Sequence, residues 1–159
     1  MSEKNLLDIA DIRVLRILQR DASMSISEIA KQAGMSQTPC WRRIKKLKET
    51  GVVRQIAAIV DREAVGLNFV AYSFVKLAVP SRDNMMEFDR MVHLWPEVMI
   101  CERITGAVDY LIKVITSDIK AYDDFLRLKL LDNNLVSDVQ SRIVVSTVKD
   151  TAQMPLREN

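Results

Sequence analysis

Between Ser25 and Gly51 the chain specifies two helices with only Gly34-Met35-Ser36 between them, and few folds accept so tight a helix-to-helix turn. Ser25 and Glu28 form an S-x-x-E capping box, in which each side chain satisfies an orphan backbone donor, and Ile26, Ile29, Ala30 and Ala33 line one face of the helix that follows. Gly34 supplies the left-handed residue at its end, and Ser36 is an N-cap for the next helix. That next helix runs from about Gln37 to Thr50 and stops at Gly51, with Cys40, Ile44 and Leu47 as its buried stripe. Pro39 falls in its first turn, where a missing N–H costs nothing. Upstream, Ile9, Ile12, Leu15 and Leu18 predict a helix over residues 8–20, with Asp8 as N-cap and Asp11 in the first turn. The pattern is a helix-turn-helix.

Charge singles out one face of it. Opposite the buried stripe, the third helix carries Trp41, Arg42, Lys45, Lys46 and Lys48. Residues 1–60 hold 11 Lys+Arg against 6 Asp+Glu and residues 61–159 hold 12 against 15, so the overall +2 conceals a basic module joined to an acidic one. A basic helix-turn-helix points to double-stranded DNA. Ser36, Gln37 and Thr38 sit where free backbone N–H groups and the helix dipole face base edges or phosphates. Gln37 matches a bidentate pair with adenine and Arg42 with guanine, while Lys45, Lys46 and Lys48 suit phosphates. Trp41 follows the buried Cys40 and lies either at the groove edge or packed on a neighbouring helix. Cys40, on the apolar stripe, is a small hydrophobe.

Beyond Gly51 the pattern changes. Residues 52–66 read as a connecting strand and linker, rich in branched side chains up to Val60. Then follow a strand over 69–79, a helix over 82–94, strands over 98–105 and 109–116, a helix over 118–131 and a strand over 137–148. The order βαββαβ gives a four-stranded antiparallel sheet with both helices on one face, a ferredoxin-like arrangement. Met85, Phe88 and Val92, and Ile119, Tyr122 and Leu126, are the stripes that cover it. The fold class is therefore α+β, an N-terminal winged-helix-like helix-turn-helix domain with a C-terminal ferredoxin-like domain. Predicted boundaries are 1–51, linker 52–66, a second domain 67–150, which the family resemblance below makes a sensor and oligomerisation domain, and an irregular tail 151–159. The strands are apolar at both parities, Tyr110, Ile112 and Val114 alternating with Leu111 and Ile115, so the open sheet face is expected to be buried on another subunit.

The pattern also excludes several classes. No apolar run approaches the roughly 18 to 20 residues of a membrane-spanning helix. The first residues mix charges with apolar side chains, unlike a secretory signal, which predicts a cytoplasmic, nucleoid-associated protein without membrane partners. Cys40 and Cys101 stand alone, which rules out a disulfide framework and a zinc site, and His93 has no partners at metal or catalytic spacing. There is no phosphate-cradling glycine loop or nucleophile elbow, so no cofactor, metal or catalytic residue is expected.

Several segments together resemble a known family. They are Asp11-Ile12-Arg13-Val14-Leu15, Gly34 to Cys40, Arg43-Ile44-Lys45-Lys46-Leu47, Thr105 to Leu111, and Ile143 to Lys149. In order and spacing, from about Leu7 to Leu156, they resemble the leucine-responsive and asparagine-synthetase regulators (Lrp/AsnC) of bacteria and archaea. The resemblance implies a transcription factor with an N-terminal DNA reader and a C-terminal domain that dimerises and responds to an amino acid. It implies a homodimer, or an octamer of four dimers. It also implies that the turn Gly106-Ala107-Val108-Asp109 lies at a subunit interface and holds the effector, with Asp109 as its carboxylate. Ala107 stands where many members carry a second acid, and of Val139 and Ser141, at positions often occupied by hydroxyl residues, only Ser141 keeps one. Read from the residues alone, the turn is equally an ordinary hairpin. Two other functions remain open: an enzyme like the sirohaem decarboxylases, which resemble this architecture, and a DNA-compacting protein that senses nothing.

Overall fold

A computed structural model describes residues 7–132 and 134–157 and divides the chain into two compact units. One contains residues up to Ile59 together with those from Lys149 onward, and the other spans Val60–Val148.

In the first unit, α1 (Ile9–Arg20), α2 (Ile26–Ala33) and α3 (Gln37–Glu49) form where the caps predict. The α1 box is reciprocal, Asp11 N–H donating to Asp8 (2.7 Å) and Asp8 N–H to Asp11 (3.3 Å). Ser25 and Glu28 close the same box on α2, and Gly34 ends it at φ 69°. Val14, Leu15 and Ile17 of α1 pack with Ile29, Ala30 and Ala33 of α2 and Cys40, Ile44 and Leu47 of α3. Burial holds the Cys40 thiol above its ordinary pKa, as a structural cysteine requires.

The second unit is a single sheet of β1 (Phe69–Leu77), β2 (Val98–Arg103), β3 (Tyr110–Thr116) and β4 (Val136–Ile143), ordered β2-β3-β1-β4 and antiparallel throughout. Two helices, α4 (Arg82–His93) and α5 (Ile119–Phe125), supply Phe88, Val92, Tyr122 and Phe125 to a core with Ala71, Val75, Leu77, Tyr110, Ile112 and Val114. Tyr72, Phe74, Leu111 and Ile115, at the alternate positions, are only half-buried, and Ile100 is exposed.

Four expectations are corrected. No strand forms within residues 52–66: Ile56, Ile59 and Val60 are exposed, because no neighbour satisfies the backbone of a β-prone run. The last strand ends at Ile143 rather than 148, since β1, its ladder partner, begins at Phe69 and the final bond is Val144 N–H to Val70 O. The helix expected over 118–131 is α-helical only to Phe125 and continues as a π-helical turn over Leu126–Leu130, closed by Leu131 N–H to Leu126 O. Within it Ile119 is exposed, and Phe125 takes the core position assigned to it.

Candidate DNA interface and sensor turn

The residues predicted to face DNA occupy one exposed surface of α3. Ser36, Gln37, Thr38, Trp41, Arg42, Lys45 and Lys46 are all exposed. Ser36 stands at the N-cap with extended backbone, but its hydroxyl makes no cap bond. Gln37 is tied to α2 through its amide, which donates to the Ser27 hydroxyl at 3.0 Å. Trp41 is 50% exposed and outside the apolar cluster, and the Lys45 ammonium sits 5.3 Å from its ring centroid. Lys45 also lies 3.7 Å from Glu49. Among the described residues, Arg42, Lys46 and Lys48 have no ion-pair partner.

Arg43 points the other way. Its Nη1 donates to Asp8 and to Asp11, each at 2.6 Å, and joins α3 to the capped end of α1. The Asp11 backbone N–H and then Arg43 hold the Asp8 carboxyl below its ordinary pKa, and the two acids raise that of Arg43. The sequence reading gives Arg43 only as part of a family segment; the signal for its role is the pair of acids at the start of α1.

In the second unit, Gly106 adopts φ 126° and the turn it opens is exposed at Gly106 and Ala107, half-buried at Val108 and Asp109. The Asp109 carboxylate accepts from Leu77 N–H (2.8 Å), and Asp109 N–H donates to Val75 O (2.9 Å). Val139 and Ser141 pair with Val75 and Ser73 from the opposite side of β1. The structure thus brings Asp109 and Val139 to two flanks of one strand, with the turn and β4 separated by about 9–10 Å, two inter-strand spacings. Ser141 does not face the turn with its hydroxyl: Ser141 Oγ is 2.5 Å from Tyr122 OH, which is 2.7 Å from the buried Ser73 Oγ. Neither Tyr122 nor Ser73 was marked for function, although a serine amid core positions of β1 was the visible sign.

A cavity of about 290 Å³ opens elsewhere, between α4 and the edge strand β2, lined by Asp89, Val92, His93, Cys101, Arg103 and Tyr110. Arg103 pairs with Asp89, and Tyr110 OH donates to Asp89 (3.0 Å). Desolvation against its neighbours, then the Asp89 charge, pushes the thiol of the solvent-exposed Cys101 up to about 11, and burial with the bond to Asp89 pushes Tyr110 up to about 12. Both are neutral near pH 7. Among the described residues no set of three His, Cys, Asp or Glu side chains is placed to hold a metal, and no helix is long and apolar enough to cross a membrane.

Comparison with known proteins covers both units. Residues 7–54 match the winged helix-turn-helix DNA-binding family, and residues 70–154 match the Lrp/AsnC ligand binding domain. The transcriptional regulator AzlB of Bacillus subtilis is 33% identical over 96% of this chain and 98% of its own. The DNA-binding transcriptional activator DecR of Escherichia coli is 32% identical over 95% and 99%. Among solved structures, a transcriptional regulator of Neisseria meningitidis in complex with L-Met superposes with TM-score 0.90, at 35% identity over 94% of this chain and 97% of that one.

Proposed function

This chain belongs to the Lrp/AsnC family of transcriptional regulators, and from that premise we propose that the exposed face of α3 reads double-stranded DNA while the second unit binds an amino acid that adjusts the reading. One observation carries the DNA half. Arg43 is spent on α1, yet among the described residues Arg42, Lys46 and Lys48 of the same helix are exposed and have no acidic partner. Arg42 and Gln37 then act as base readers and Lys45 and Lys46 as phosphate holders, with Ser36 and Thr38 lending short polar groups at the helix start and Trp41 flanking the groove. The protein works in the cytoplasm, on the nucleoid.

For the sensor, the exposed Gly106 and Ala107, the half-buried Val108 and the carboxylate of Asp109 suit the two ends of a zwitterion, while Val139, packed on the core, and Ser141, bonded to Tyr122, are given no ligand contact. The L-Met bound to the Neisseria relative favours an amino acid here. In this reading a second copy of the chain, docked on the open sheet face, completes the site. The half-buried face of Tyr72, Phe74, Leu111 and Ile115 is the surface on which that homodimer forms, and an octamer of four dimers is the higher assembly. No catalytic role is assigned to the α4 cavity.

Selection from fragmented genomic DNA with the full chain, repeated in each of the twenty amino acids beginning with L-methionine, tests this function. Enriched sequences should be pseudo-palindromic, with half-sites about one or more helical turns of roughly 34–36 Å apart. At least one amino acid should change the affinity. Recovery of sequence-random fragments overturns the reader, and indifference to all twenty overturns the sensor.

A further inference from the structure

The three helices do not complete their own core. Leu156 packs against the cluster of Val14, Leu15, Ile17, Cys40, Ile44 and Leu47, more than a hundred residues after α3 ends. Two side chains of α1 read the backbone around it. Arg16 donates to Leu156 O at 2.9 Å, and the Gln19 amide forms a reciprocal pair with Met154, accepting from its N–H at 2.5 Å and donating to its C=O at 3.3 Å. Gln19 therefore treats Met154 as a neighbouring strand would, satisfying both backbone groups at once. Arg16 and Gln19 are three residues apart, on one face of α1. Between the two contacts Pro155 fixes a bend, closed by Leu156 N–H to Met154 O at 2.9 Å, that turns Leu156 inward.

We infer that this face of α1 is a docking surface for an extended peptide, that its occupant is the chain's own segment 149–157, and that the docked segment is a strap through which β4 acts on the DNA-binding unit. The chain passes between the units at Ile59 and again after Val148. On the second passage residues 145–153 lie between the last sheet bond, Val144 N–H to Val70 O, and the first contact with α1 at Met154, a length of at most about 32 Å when fully extended. This passage is the shorter covalent route by which a shift at the end of β4 reaches the helical unit, at Met154 and Leu156. The first passage, residues 54–68 between Val53 on the helical core and Phe69, is longer and holds no helix or strand, so it transmits displacement less directly. Docking rests on the contacts alone. Its use in coupling requires only that the chain bind DNA, and it holds whether or not Asp109 is part of the effector site.

Hydrogen exchange on the full chain tests both parts, with a random-sequence duplex at low salt as the probe. Leu156→Asp places a carboxylate in the cluster, and amides of α1 should exchange at least tenfold faster than in the wild type. Gln19→Ala cuts the reciprocal pair without touching the core and should give the same pattern more weakly, which keeps the test valid if Leu156→Asp fails to fold. Adding duplex should change exchange in β4 of the wild type, by reciprocity of linkage, and that change should be lost in Gln19→Ala although the duplex still binds. Unchanged α1 exchange in Gln19→Ala overturns docking. A β4 response that is absent from the wild type, or that survives in Gln19→Ala, overturns the strap. Failure of the wild type to bind the duplex at all would instead defeat the reading of α3.

Discussion

Arg43 on α3 reaches Asp11 on α1 at 2.6 Å, and the Asp11 side chain is only 3% exposed. The pair fixes the helix that bears the residues proposed to face DNA against the capped start of another helix, where the dipole already favours negative charge. Removing the cation strands a buried carboxylate, which is the costly half of any such pair. Arg43→Ala should therefore lower stability in urea titrations by about 2–3 kcal/mol, more than Arg42→Ala on the exposed side of the same helix. Equal effects from the two substitutions would show that the contact is dispensable.

Asp8 gives this junction a pH signature. Its folded-state pKa is depressed, by the Asp11 backbone N–H first and Arg43 second, so its contribution is fully present above the ordinary carboxylate value and is lost as pH falls through the folded value. Stability should change little from pH 7 to pH 5 on this account and decline below about pH 4. Asp8→Asn keeps an N-cap while removing the titration. Its thermal midpoint should fall less steeply over that acid range than the wild type's.

Ser73, Tyr122 and Ser141 form a chain of three hydroxyls between the sheet and α5, and Ser73 is fully buried. Tyr122→Phe removes the shared partner and should cost about 1–3 kcal/mol, the penalty of unsatisfied buried polar groups. Ser73→Ala in the Tyr122→Phe background should recover part of the loss. A double-mutant cycle in denaturant checks this, and additivity would mean that the hydroxyls are not coupled.

Local chemistry in the sequence accounts for most of the helical unit. Ser25 with Glu28, Gly34, and the spacing of Cys40, Ile44 and Leu47 act within a few residues, and the structure places each as the spacing predicts. Long-range pairing is where the sequence was mute. Residues 52–60 have strand composition but no partner strand, and Ile143 ends β4 because of where β1 begins. Arg43 and Leu156 find partners roughly thirty and well over a hundred residues away, at Asp11 and in the α1–α3 core, and neither distance is written in a local pattern. In the Gly106–Asp109 turn, the role of Asp109 as a backbone acceptor for Leu77 depends on sheet order and was equally out of reach.

That bond makes Asp109 serve two purposes which substitution can separate. Asp109→Asn keeps an oxygen for Leu77 N–H but removes the charge, whereas Asp109→Ala removes both. If the turn holds the ammonium of an amino acid, Asp109→Asn should fold with near wild-type stability and lose the stabilisation by effector. That stabilisation is about 2.7 kcal/mol for the wild type at a hundredfold excess over Kd. Asp109→Ala should additionally lose about 1 kcal/mol without effector. A full thermal shift retained by Asp109→Asn would remove the carboxylate from the site.

The reading of DNA by α3 is tested most directly by measuring the affinity of Arg42→Ala and Lys46→Ala for a selected operator and for a random duplex of equal length across a salt series. Arg42→Ala should lose about 1–3 kcal/mol more on the operator than on random DNA, as a severed base contact does. Lys46→Ala should weaken both duplexes alike and reduce the salt slope by about one unit, the mark of a single phosphate. Equal losses on the two duplexes for Arg42→Ala, or no loss on either, would contradict the assignment of this helix face to sequence recognition.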